Sequence, residues 1–182
     1  ITASADVKEI SLTGTDAVLR PASEATQYFL TTETIVPATR RVSFRSFDPA
    51  AYDYIIISHA SLRAQGDPVA AYATYRASDE GGGYLPLVAD IDELYDQFSY
   101  GESSPLAIYN FMAFLAGQKF PKYLFLIGKG LDIEYDYFRN TDPPPLYHSL
   151  IPPAGYPGSD MAFTAGLAGV EHVPAVATGR LT

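Results

Sequence analysis

Cysteine is absent from this chain, which excludes disulfides, thiolate metal sites and any cysteine nucleophile within its 182 residues. The absence assigns no compartment, because exported proteins of many bacteria also lack cysteine and the disulfide argument runs only from presence. Basic residues are scarce: 12 Lys+Arg stand against 21 Asp+Glu, for a net charge of −9. No window gathers enough positive charge to neutralise a phosphate backbone, so no nucleic-acid partner is expected. Long apolar runs are lacking too. The longest, around Tyr123 to Ile127, is strand-sized against the roughly 20 residues of a membrane helix, so no membrane span is expected. The chain opens at Ile1 without a charged and then apolar leader, and is expected to be either processed or a piece of something longer. What remains is 47% hydrophobic residues, enough for one compact domain with a small appendage.

Residues 1–52 show little helical periodicity. Val7 to Leu12 alternates, and Tyr28-Phe29-Leu30 and Arg41-Val42-Ser43-Phe44 are short apolar pieces, with Gly14, Pro21 and Asp48-Pro49 as punctuation. This predicts a β-rich N-terminal appendage. At Tyr54 the texture changes. Tyr54-Ile55-Ile56-Ile57-Ser58 is a continuous apolar run, as expected of a strand buried on both faces of a parallel sheet. A second domain, residues 53–182, therefore begins near Asp53.

Beyond that run, helical and strand patterns alternate, the pattern of βαβ units wound into a parallel sheet with helices on both faces. Val69 to Ala77 reads as a helix ended by Gly81-Gly82-Gly83. Tyr84 to Ala89 reads as a strand in which Pro86 is tolerable only at an edge or a kink. Ile91 to Asp96 gives a short helix. A longer one follows, with Ser104 as N-cap, Pro105 in first position and Gly117 at its end. Tyr123 to Ile127 is the third buried strand and Val173 to Thr178 a further one, separated by a proline-rich, loop-like stretch from Leu131 to Gly158.

The chemical motifs are few. His59 follows a buried strand, where open α/β sheets place ligand-binding residues, although a strand-end histidine is also commonly engaged by backbone. His148 and His172 have no spacing that suggests a metal. Gly128-Lys129-Gly130 follows the third strand, where turn amides can receive an anion or the glycines can simply serve a tight turn. No complete phosphate-loop motif and no G-x-S-x-G elbow accompany it. Asp90, Asp92, Glu93 and Asp96 crowd the start of a short helix. Asp90, Asp92 and Asp96 are the candidate ligands for calcium, with carbonyls of the Phe98 to Gly101 turn completing the shell if the chain unwinds near Asp90. Acidic residues at a helix start also need no metal. Aromatics are plentiful, at 14 Tyr and 10 Phe. Tyr95, Phe98 and Tyr100 sit around a helix end and Tyr135, Tyr137 and Phe138 in a loop, placed for packing or for partner contact.

Four pieces occur in order: Tyr52-Asp53-Tyr54-Ile55-Ile56-Ile57-Ser58-His59, Asp90-Ile91-Asp92-Glu93-Leu94-Tyr95-Asp96-Gln97-Phe98-Ser99-Tyr100-Gly101, Ser104-Pro105, and Leu124-Phe125-Leu126-Ile127-Gly128. This set resembles the gingipain-type cysteine peptidase family. It looks closest to the branch that contains the C-terminal signal peptidase (sortase) of the bacterial type IX secretion system. Ile151-Pro152-Pro153, Gly158-Ser159-Asp160 and Ala177-Thr178-Gly179-Arg180-Leu181 are similar to the family's later landmarks.

The resemblance implies a caspase-like α/β unit of two abutting subdomains, secreted and attached to the cell surface, acting on protein or peptide substrates. It also implies a catalytic His in a G-H-G motif and a Cys, both beyond the Gly-Arg strand. Neither occurs in this sequence, so no catalytic residue carries over. The implied partner is a downstream catalytic subdomain of the same protein. The sequence departs from the family at Lys129 and at Met161-Ala162-Phe163, where acidic residues are common. A rival reading from the residues alone is a stand-alone α/β module that holds a small anion at the sheet's carboxyl edge, around Ser58, His59, Gly128, Lys129 and Gly130.

Overall fold

The computed structural model describes Val36, Thr39 and residues 41–131 and 149–182. The chain divides into two units, residues 1–40 and 41–182. The alternating pieces at Val7 to Leu12 and Tyr28 to Leu30 lie outside the described residues, as do His148, Tyr135, Tyr137 and Phe138. The second unit is an α/β fold. In chain order it comprises β1 (Tyr54–Ser58), a 3-10 turn (Ala60–Arg63), α1 (Pro68–Ala77), β2 (Pro86–Asp90), α2 (Ile91–Phe98), α3 (Leu106–Ala116), β3 (Tyr123–Ile127), a second 3-10 turn (Asp160–Phe163) and β4 (Ala177–Leu181). The four strands form one all-parallel sheet in the order β2-β1-β3-β4.

β1 is central and every one of its residues is buried, which is why its sequence runs apolar without alternation. Its side chains point alternately to the two faces. Ile55 and Ile57 join Leu87, Ala89, Leu124 and Leu126 against α2 and α3, through Leu94, Ile108, Phe111 and Met112. Tyr54 and Ile56 face α1, against Val69 and Ala73. Burial of each isoleucine contributes about 1.5–3 kcal/mol.

Residues 41–52 belong with this unit. Arg41 to Phe44 forms no strand. Phe47 is buried, with its ring 5.0 Å from Phe111 and 6.4 Å from Phe98. Arg45 donates to Val88 O at 2.9 Å and lies 3.6 Å from Glu93, tying the segment to β2 and α2.

Local chemistry explains the element ends. Asp67 caps α1 by accepting the Ala70 N–H at 2.9 Å, and Pro68 takes the first helical position. The return from α1 turns on Gly81, where a Cβ would fall 1.7 Å from the Tyr75 carbonyl oxygen, so no other residue fits. Pro86 opens β2, an edge strand, so its missing N–H breaks no interior ladder. α3 starts one residue later than its sequence signal. Pro105 holds the cap position, and the Ser104 hydroxyl accepts the Leu106 N–H at 3.3 Å; terminal residues of this kind are the least determined part of a helix.

β4 departs from expectation by four residues, running Ala177–Leu181 rather than Val173 to Thr178. Pro174 cannot donate to a parallel ladder. The chain there forms an isolated antiparallel bridge, Ala165 with Pro174, and the Gly166 N–H donates to Val173 O at 3.1 Å. The ladder begins where Ala177 pairs with Tyr123.

At the amino end of the sheet Asp53 is buried and fixes three segments. Its carboxylate accepts the Leu85 N–H at 2.7 Å and meets Lys122 Nζ at 2.9 Å, while its carbonyl accepts the Lys122 N–H at 2.8 Å. Burial pushes this carboxyl up, but the Leu85 bond and the Lys122 charge outweigh it and hold the group below the usual carboxylate range. A carboxyl depressed in the folded state contributes stability that is complete above its unfolded pKa and is lost as pH falls through the folded value. Asp53→Asn is therefore expected to lower stability at neutral pH and to flatten the decline below about pH 4. Denaturant midpoints measured for both proteins from about pH 7 down to the acid transition check this.

Candidate functional site

The chain leaves β1 toward β2 through α1 on one face, and reaches β3 from β2 through α2 and α3 on the other. The crevice between the carboxyl ends of β1 and β3 is thus the topological switch point, where open α/β sheets bind ligands. Ser58 and His59 border it on one side and Gly128-Lys129-Gly130 on the other.

Ser58 is fully buried and its hydroxyl has no partner. In register beside it on β2 is Asp90, also buried. One Asp90 oxygen pairs with the Arg63 guanidinium and the other caps α2 by accepting the Asp92 N–H at 2.9 Å. His59 caps the first 3-10 turn. Its Nδ1 accepts the Ser61 N–H at 3.1 Å and lies 2.7 Å from Ser61 Oγ, while Nε2 lies 3.7 Å from an oxygen of Asp92. Ser61, His59 and Asp92 thus form a Ser-His-Asp sequence of contacts. His59 nevertheless does not serve Ser61 as a general base would, because the same Nδ1 lone pair is engaged by Ser61's own amide. His59 is the backbone-engaged strand-end histidine that its position allowed.

The calcium candidates Asp90, Asp92 and Asp96 do not converge. α2 begins at Ile91 without unwinding, and Asp90 is held by Arg63 and the cap. Asp92 turns toward His59, and Asp96 lies at the far turn, 3.7 Å from where a Cβ of Gly101 would be. The Phe98 carbonyl accepts from Asn110 Nδ2 at 2.9 Å, and the Tyr95 carbonyl from the N–H groups of Ser99 and Gly101. Among the described residues no three His, Asp or Glu side chains gather as a metal site. Glu93 faces Arg45, and His172 is exposed beside Glu171 at 3.5 Å.

The glycine turn is organised by an arginine that the sequence shows only as part of Gly179-Arg180. Arg180 Nε and Nη2 grip both Asp160 oxygens at 2.8 and 2.6 Å. Nη1 donates to the carbonyls of Gly128 at 2.8 Å and Ile151 at 2.7 Å, and Nη2 to Pro152 at 3.4 Å. All five donors of the planar fork are satisfied. The Gly128 N–H donates to Leu181 O at 2.9 Å, and the Lys129 carbonyl accepts the Leu150 and Ile151 N–H groups at 3.0 and 3.1 Å. A Cβ on Gly130 would lie 2.9 Å from Ile151 O and 3.1 Å from Arg180 Nη1, so this glycine is required by close approach of the chain to itself. The aromatic candidates divide likewise: Tyr95 is buried, Phe98 stacks among Phe47, Phe111 and Phe114, and Tyr100 is fully exposed.

Two outcomes follow. Arg180→Lys keeps the charge but loses the fork, leaving Asp160 and at least two carbonyls short of donors. Chemical denaturation is expected to show a loss of about 2–3 kcal/mol. Since Asp90 is already engaged, the melting temperature is expected to be the same in chelator and in millimolar calcium, for the native chain and for the Asp92→Ala, Asp96→Ala double variant alike. A calcium-dependent rise in the native chain would restore these carboxylates as ligands.

Residues 47–182 match the family model of Peptidase family C25; no curated protein and no solved structure matches the chain. The match starts at Phe47, the first core aromatic, and takes in all four strands, the switch-point crevice and the Asp160 to Arg180 link. The chain belongs to peptidase family C25, the gingipain family of cysteine peptidases, and its α/β fold is that of a caspase-like peptidase domain.

Proposed function

We propose that this chain is the non-catalytic first subdomain of a secreted, surface-attached gingipain-type cysteine endopeptidase, of the branch that serves type IX secretion as its C-terminal signal peptidase. The observation that carries the reading is the family match over residues 47–182 in a sequence with no cysteine. A cysteine peptidase needs a thiolate and a base to activate it, and this stretch supplies a scaffold without the thiol. The cysteine and its histidine then belong to a second, downstream subdomain of the same protein, and peptide substrate binds where that subdomain meets this one.

The form of the sheet supports this. β4 is an edge strand with alternating exposed residues, and Leu181 is 56% exposed. All-parallel sheets are ordinarily covered on both faces, and natural proteins commonly protect an exposed edge strand. On the α1 side, beside Tyr123 and Phe125, the small residues Ala177 and Gly179 leave a trough of about 240 Å³. An abutting subdomain would cover both features. No described helix is long and apolar enough to cross a membrane, and surface attachment is proposed through the secretion route of the family.

The purified chain is expected to hydrolyse no peptide, and a thiol-blocking reagent is expected to change nothing. Supplied in trans, the cysteine-bearing part of the same protein is expected to bind the native chain and to lose that binding with Leu181→Asp. Thiol-sensitive hydrolysis by the chain alone would overturn the reading, as would equal binding by the variant.

A further inference from the structure

The connections between strands cover the sheet unequally. α1 lies against Tyr54 and Ile56 on one face, whereas α2, α3 and the residues Ile151 and Phe163 between β3 and β4 pack on the other. Right-handed crossovers dictate this division, because the chain steps from β1 to β2 in one direction and from β2 to β3 and on to β4 in the opposite one. Among the described residues α1 is therefore the only α-helix on its face, and it lies over the β1–β2 half. On the β3–β4 half Tyr123, Phe125 and Ile127 are half-buried, each beside an exposed partner in register: Ala177, Gly179 and Leu181. The trough of about 240 Å³ runs between these two rows.

A charge without a counter-ion stands at its rim. Arg76, from the last turn of α1, lies 4.7 Å from the ring centre of Tyr54, which helps to line the trough. Arg76 and Lys122 both rest on the Tyr84 ring, but only Lys122 has a carboxylate, that of Asp53 at 2.9 Å. Among the described residues Arg76 has no ion pair, and its guanidinium is partly desolvated, with Nε buried and without a hydrogen-bond partner.

We propose that this half-face seats an amphipathic helix of the adjoining subdomain, whose apolar stripe fills the trough and whose acidic side chain pairs with Arg76. The inference rests on the peptidase reading and goes beyond it in naming the face, the element and the charge. A helix is the element that fits. Helices cover the faces of parallel sheets, and a helix about 10 Å across spans two strands about 4.8 Å apart. Ala177 and Gly179 let its backbone approach closely, while Tyr123 and Phe125 form the side wall. The carboxylate follows from complementarity, since Arg76 is the cation at this face that the described residues leave unbalanced.

Gly179 makes the trough testable with the sheet intact. A Cβ there meets nothing closer than Phe125 Cδ2 at 3.7 Å, an ordinary contact. The native chain and its variants are titrated with the cysteine-bearing part of the same protein, and the melting temperature of each variant controls for folding. Gly179→Leu is expected to weaken binding at least about tenfold at a native melting temperature, and Gly179→Ala to leave binding nearly intact. Ala177→Leu provides the same obstruction at a second position. Arg76→Gln is expected to weaken binding and to reduce its salt dependence, and Arg76→Lys to keep that dependence. With p-benzoylphenylalanine in place of Ala177, illumination is expected to cross-link one helix of the partner, close to an acidic residue. If the native chain binds and both trough-filling variants bind as well, or if the cross-link falls on a strand, a loop or a second copy of this chain, the helix is overturned while the subdomain reading stands. A salt dependence that Arg76→Gln leaves unchanged would overturn the acidic pairing. No binding by the native chain would overturn both the helix and the subdomain reading.

Discussion

Five hydrogen bonds from one guanidinium hold the carboxyl edge of this sheet in shape. Arg180 comes from β4, an edge strand with little cover of its own, yet its side chain is only 12% exposed. It reaches the turn after β3, the Ile151-Pro152 segment and Asp160. These segments are far apart in sequence, and carbonyls at the end of a parallel strand have no ladder partner left to satisfy them. A planar fork meets that need as a flexible ammonium would not. β4 therefore joins the sheet by more than its ladder with β3, and the crevice beside Gly128 takes its shape from the same contact.

The two ends of the sheet solve the problem of unpaired polar groups differently. At the amino end aromatic rings join the Asp53–Lys122 ion pair. Arg76 lies 4.7 Å from the ring centres of both Tyr54 and Tyr84, Lys122 is 5.4 Å from Tyr84, and the Tyr54 and Tyr72 hydroxyls share a 2.9 Å hydrogen bond. Burial, reinforced by Tyr72, pushes the Tyr54 phenol well above its ordinary value, and the hydrogen bond that Tyr123 shares with Tyr84 raises Tyr123. The cations rest on π faces. At the carboxyl end the solution is ionic, with Arg63 on Asp90 and Arg180 on Asp160. Open α/β sheets bind ligands at their carboxyl ends, and there the charged side chains Arg63, Asp90, Asp160 and Arg180 are already committed in pairs.

How far the sequence disclosed this depends on the range of the interaction. Runs dictated by burial were legible: Tyr54 to Ser58 and Tyr123 to Ile127 are strands with those bounds, and of the edge or kink that Pro86 allowed, β2 takes the edge. β4 was misplaced because Val173 to Val176 has strand composition, whereas Pro174 and a local antiparallel bridge keep it out of the ladder. The acidic cluster suggested calcium because spacing along a helix reveals which carboxylates share a face, but not that an arginine 27 positions earlier already holds one of them. Asp53 with Lys122, Arg63 with Asp90 and Arg180 with Asp160 are all pairings across the sheet, and no local pattern encodes them.

That division bears on what the proposed role of a first subdomain would demand. A scaffold that lends one edge of its sheet to a catalytic partner has to keep the edge open and its own loops fixed, and these demands conflict, since open edges are the least constrained part of a sheet. Here they are separated along β4. Ala177, Gly179 and Leu181 remain exposed on one face, while Thr178 and Arg180 turn to the other. On that second face the Thr178 hydroxyl donates to Val176 O at 3.2 Å, and Arg180 binds the carboxyl-edge turns. A single five-residue strand thus presents an open face and anchors a closed one, because successive side chains of a strand point to opposite sides.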